Sequence, residues 1–133
     1  MRRRIDAPAA RELLAVYART GSLDEPEKKI AARFALEEFA HRYPGRSVEI
    51  RIPWVGAVQA IAGPIHTRGT PPNVVEIDAD TWLAAVLGMT IDPKRISYSG
   101  TRADISQYLP LFTLAGEGSL VQDRSKHDAA TAY

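Results

Sequence analysis

Cysteine is absent from the 133 residues, which excludes disulfides, thiol catalysis and thiolate metal ligands. Histidine is scarce, with three in the chain, His41, His66 and His127, and their spacing marks no metal-ligand set. No serine or threonine sits in a pattern that marks an activated nucleophile. Charge of one sign is not in excess: 17 lysines and arginines against 16 aspartates and glutamates leave a net +1. That balance gives no long-range pull toward nucleic acid or an anionic membrane. No apolar run approaches the roughly 18 residues of a membrane span. The start, Met1-Arg2-Arg3-Arg4, has no apolar stretch after it and does not read as a secretory signal. The expectation is a cytoplasmic protein with no stable membrane insertion, no nucleic-acid partner and no cofactor. A chain of this length buries about two thirds of the surface it exposes when unfolded.

What is present is a readable alternation of helix and strand signals. Residues 7–20 have Asp6 as an N-cap, Pro8 in the first turn, an apolar stripe of Leu13, Leu14 and Tyr17, and a stop at Gly21. Residues 25–43 open on Asp24 and Glu27, in the manner of a capping box. There Ile30, Phe34, Ala35 and Phe39 make one apolar face, with Lys28, Lys29, Arg33 and Glu37 mostly opposite. Tyr43-Pro44-Gly45 ends that helix. From Ser47 the period changes to two, with Val48, Ile50 and Ile52 on one side and Glu49 and Arg51 on the other. Pro53-Trp54-Val55-Gly56 reads as a turn, after which Ala57 to Ala62 returns as a hairpin partner with Trp54 at its rim. The segment Gly63 to Asn73 has no periodicity and is a loop.

The run Val75-Glu76-Ile77-Asp78-Ala79-Asp80-Thr81-Trp82-Leu83 to Gly88 organises the rest. It reads as a strand entering a short helix that is capped by Asp78 and closed by Gly88 in a left-handed conformation. Trp82, Leu83, Val86 and Leu87 form its broad apolar face. A second strand, Arg95 to Ser99, leads through Gly100 to an expected last helix whose face is Ile105, Tyr108, Leu109 and Phe112. Pro110 should loosen or kink its final turn. The pattern gives one domain over residues 1–112, with sheet and helices at 47–112, and a mobile tail at 113–133.

These motifs resemble the sterol carrier protein 2 family. The matching pieces are Val75 to Gly88, Ile96-Ser97-Tyr98-Ser99-Gly100 and Ile105 to Phe112, with the hairpin Val48 to Ala62 where the family's first strands lie. More narrowly, the run Gly63 to Asn73 resembles small bacterial, actinobacterial-type sterol carrier orthologues. The resemblance implies an α+β fold with about five strands, largely antiparallel, covered on one face by helices. It also implies an apolar tunnel between the two layers for sterols, fatty acyl chains or acyl-CoA. The segment from Gly88 to Ile96 is shorter than the family's.

The functional expectation is a non-enzymatic carrier of an apolar ligand, fatty acyl, acyl-CoA or isoprenoid in class. Its cavity would be lined by Trp54, Val58, Ala60, Trp82, Val86, Tyr98, Ile105, Leu109 and Phe112, and His66, Thr67 and Arg68 would meet a polar head group. The alternative is an accessory or interaction module with a filled core, either a homodimer or the partner of a separate enzyme. For catalysis the sequence offers only His66 with Arg68 and a carboxylate such as Asp78 or Asp80, and this does not amount to a recognisable acid-base constellation.

Overall fold

The period-two run after Ser47 is β1 (Val48–Ile52), and the returning hairpin arm is β2 (Gly56–Ala60). A computed structural model describes residues 6–63, 73–100, 103–114 and 120–122. Ahead of the hairpin lie α1 (Ala7–Thr20) and α2 (Glu25–Arg42). After it come β3 (Asn73–Ile77), α3 (Ala79–Val86) and β4 (Ile96–Ser99). Short 3₁₀ turns occupy Pro93–Arg95 and Ser106–Tyr108, and β5 (Phe112–Leu114) and β6 (Leu120–Gln122) follow.

The fold is α+β. Its main sheet has four strands in the order β2-β1-β3-β4. β1 pairs antiparallel with β2 and parallel with β3, and β3 pairs antiparallel with β4. The strand count corrects the expected five: β5 and β6 form a separate antiparallel ribbon. The parallel central pair arises because β2 folds back on the outer edge, so the chain must cross β1 to begin β3. The domain boundary expected at Phe112 falls inside β5. One face of the sheet is apolar, with Val48, Ile50, Ile52, Val58, Ala60, Val75 and Ile77 all buried. The other face presents Arg51, Gln59, Glu76, Ser97 and Ser99 to solvent.

The caps explain where the helices begin and end. Asp24 accepts the Glu27 amide at 2.9 Å, and Asp78 accepts the Thr81 amide at 3.1 Å. Asp6 holds the N-cap position of α1 without a side-chain bond. Gly88, at φ 73°, closes α3 as expected: its amide reaches Ala85 O, and that of Met89 reaches Ala84 O, which is the Schellman arrangement.

Two expectations need correction. The apolar stripe of α2 is present but broader than expected and shifted: Phe34, Ala35 and Phe39 are buried and Lys29 and Arg33 exposed, yet Glu37 and Glu38 are buried as well, while Ile30 is exposed. The helix packs on β2, α1 and α3 at once, which widens its buried face and leaves Lys29, Ile30, Arg33 and His41 on one solvent-facing side. The last helix is not formed. Residues 103–111 run extended through one 3₁₀ turn and a cis Leu109–Pro110 peptide. Proline removes a helical donor and drives its predecessor out of the helical region, and Asp104 diverts the Ser106 amide at 2.9 Å into a local turn. The apolar residues still reach the core: Ile105, Leu111 and Phe112 are buried, and Leu111 N–H bonds to Val86 O at 2.9 Å.

Candidate functional site: a pocket at the end of the sheet

The space between sheet and helices is filled by side chains. Trp82, Phe34, Phe39 and Phe112 are fully buried there, and the Trp82 indole N–H donates to Ala32 O at 3.1 Å, tying α3 to α2. Phe39 packs edge-on against both Trp82 and Tyr108, and Tyr108 in turn packs on Tyr43 with ring centroids 4.8 Å apart. Phe112 lies stacked beside Phe34, with the guanidinium groups of Arg11 and Arg42 over its ring at 5.4 and 5.6 Å.

An opening of about 410 Å³ lies where this layer ends, lined by Ser47, Val48, Ile61, Ala62, Asp104, Gln107 and Tyr108. Backbone strain shapes it. Ile61 sits at φ 70°, which a β-branched side chain disfavours. It is held there from three sides: its amide donates to Tyr43 O at 2.6 Å, and its carbonyl accepts the Ser47 amide at 3.1 Å and the Ser47 hydroxyl at 2.6 Å. Gly45 permits this closeness, since a β-carbon there would lie 2.1 Å from the Ile61 carbonyl carbon. The bend turns the chain away from β1 at the end of β2, and the core-facing side of Val48 is left beside the opening. Asn73, at the start of β3, fixes the floor by donating its side-chain amide to Ser47 O at 2.9 Å.

Val48, Ile61, Ala62 and Tyr108 supply the apolar part of a lining that is mixed and slightly more polar than apolar. Asp104, Gln107 and Ser47 supply the polar groups. The Asp104 carboxyl is held below the usual carboxylate range, chiefly by the Ser106 amide and then by the Ser106 hydroxyl, so it carries negative charge at neutral pH. Tyr98 is affected in the opposite sense: burial first, and then the charge of Asp104, push its phenol up.

The residues expected to line a ligand cavity fall into three groups. Val58, Ala60, Trp82, Val86, Ile105 and Phe112 are buried in the core, and Leu109 packs against it. Tyr98 is half-exposed on the edge strand, opposite Val75, and Trp54 stands out in solvent. His66, Thr67 and Arg68 lie outside the described residues. The pocket's own lining was therefore not singled out from sequence. Its sequence signals are Gly45 and Pro110, a close-approach glycine and a helix-breaking proline, each two positions from a lining residue.

Against this geometry, the family model described as bacterial SCP ortholog matches residues 24–111, about two thirds of the chain. The chain belongs to the bacterial SCP-ortholog family. The match begins at the cap of α2 and ends with Leu111, so in this SCP ortholog it spans the sheet, α2, α3 and every residue that lines the pocket. No curated protein matches the chain. Among the described residues, no helix of the SCP ortholog is long and apolar enough to cross a membrane, and no group of three or more histidines and carboxylates is placed to hold a metal ion.

Proposed function

We propose that this SCP ortholog is a non-enzymatic, cytoplasmic carrier of a small apolar ligand of fatty acyl or isoprenoid class, or of the acyl end of an acyl-CoA. The ligand's apolar body lies in the pocket at the end of the sheet. The supporting observation is the opening beside Val48, Ile61, Ala62 and Tyr108, whose volume of about 410 Å³ is in the lower part of the range typical of small-molecule sites. A bulky polycyclic ligand fits this reading less well than a flexible chain. The segment carrying His66, Thr67 and Arg68 is proposed to contact the head group. Its two flanks support this: Ala62 is a pocket wall, and Asn73 is bonded to Ser47.

The test is native mass spectrometry of the purified chain, followed by displacement of a fluorescent fatty acid, for the wild type and for Ala62→Trp. The carrier reading expects a co-purifying lipid or micromolar probe binding that A62W abolishes while the fold is kept. Equal binding by A62W would place the ligand elsewhere. The filled sheet–helix interior favours a second reading, an accessory module without lipid, and a clean apo mass that lipid leaves unchanged would select it.

A further inference from the structure

Trp54 is 94% exposed, and its backbone is strained. The hairpin turn has Pro53 at its second position, a Val55 amide to Ile52 O bond of 3.0 Å, and Trp54 at φ 70° in the third position. This is the pattern of a type II turn, whose third position calls for glycine or asparagine. A tryptophan there costs backbone energy and, with its indole in water, recovers none of it by packing.

The turn around it is rigid. Proline fixes the preceding φ, Val55 is tucked into the core, and Arg33 donates to Val55 O at 3.2 Å. One residue of a four-residue turn thus anchors inward while its neighbour is held outward. α2 and β2 run side by side in the same direction: Arg33 lies at Gly56, and the Tyr43 carbonyl lies at Ile61. Ile30, three residues before Arg33 on the solvent-facing side of α2, is 42% exposed.

We infer that this tip, Pro53 and Trp54, is an anchor that seats the protein on the interfacial layer of a lipid bilayer. The indole ring, with an apolar body and one N–H donor, favours that layer. The size of the patch separates this occupant from a protein. A tryptophan offers roughly 200 Å², and even with its neighbours a convex tip falls far below the roughly 800 Å² per partner of a stable protein interface. The net charge of +1 gives the chain little electrostatic attraction, so the attachment is shallow, reversible and insensitive to salt. It does not depend on the pocket.

The experiment mixes the full chain with phosphatidylcholine vesicles and reads tryptophan emission and co-flotation. The buried Trp82 serves as a constant internal signal. Expected are a blue shift and flotation that survive added salt, and a loss of both in Trp54→Asn. Asparagine tolerates the left-handed backbone, so the fold survives the change, and partition should fall about tenfold or more. The pocket-filling A62W should float like the wild type even if ligand binding is lost, which separates this inference from the carrier reading. No shift on vesicles, or undiminished flotation of W54N, would overturn it. A blue shift that instead follows protein concentration without lipid, with a dimer in sedimentation, would also overturn it and assign the tip to a second copy.

Discussion

Replacing Gly45 with alanine would place a methyl carbon 2.1 Å from both the carbonyl carbon and oxygen of Ile61 and 2.4 Å from the Ala62 amide nitrogen. All three are backbone atoms, so no side chain can swing aside. The strand end itself must move, and it is pinned by the Ser47 amide and hydroxyl on Ile61 O and by the Ile61 amide on Tyr43 O. Overpacking of this kind costs about 1–3 kcal/mol. Each hydrogen bond surrendered adds about 0.5–1.5 kcal/mol, so the expected loss is about 3 kcal/mol. For a chain of this size that corresponds to a fall in Tm of roughly 10 °C. Urea unfolding followed by circular dichroism and by Trp82 fluorescence measures it. Gly21→Ala is the control: Gly21 also has a positive φ, 73°, but has nothing within 4 Å of its β-carbon position. It should lose only the conformational term, about 1 kcal/mol. If G45A costs no more than G21A, the close approach of Gly45 to Ile61 does not shape the strand end, and the account of the pocket fails with it.

Trp54→Gly should leave stability unchanged or raise it by up to about 1 kcal/mol in urea unfolding, because relief of the left-handed backbone outweighs the added freedom of the unfolded chain. Arg42→Ala should cost about 3 kcal/mol in the same assay. It removes one side of a 2.9 Å ion pair with Glu38, both side chains being under 10% exposed, together with a bond to Leu111 O and a cation over Phe112. The Tyr17 phenol is pushed up to about 12, first by burial, then by its hydrogen bond to Asp80 and the charges of Asp80 and Asp78. Because its folded value lies above the usual 10, its contribution is complete below pH 10 and disappears as pH rises to about 12. Tyr17→Phe should flatten the stability profile in that window, as measured by denaturation across pH.

The parts of the fold legible in the sequence are those decided locally. The bond from Asp78 to the Thr81 amide, the left-handed Gly88 and the alternation of Val48, Ile50 and Ile52 each depend on neighbours within a few residues, and each is observed. The full width of the buried α2 face is not legible because Glu37 and Glu38 count as polar in any pattern, yet they are buried with Arg33 and Arg42 as ion-pair partners at 3.4 and 2.9 Å. A paired carboxylate cannot be told from a solvated one by spacing. The last helix does not form because Pro110 and the Asp104 turn outweigh an apolar face at helical intervals. The same residues reach the core from an extended chain once Leu111 hydrogen-bonds to the end of α3. The pocket was illegible for a related reason. It depends on Gly45 meeting Ile61 and Asn73 meeting Ser47, contacts between segments 16 to 26 positions apart whose residues look ordinary one by one.

The burial of α2 separates two kinds of opening in this molecule. Residues 34 to 39 form an unbroken buried run, so deuterium should replace their amide hydrogens chiefly when the whole domain opens. The stretch from Asp104 to Gln107 is exposed apart from Ile105, and beyond it Leu111 is tied to the interior through its N–H to Val86 O and its carbonyl to Arg42. Its amides should exchange through small local excursions that leave α2 protected. The wall of the pocket can therefore loosen many times within one lifetime of the folded core.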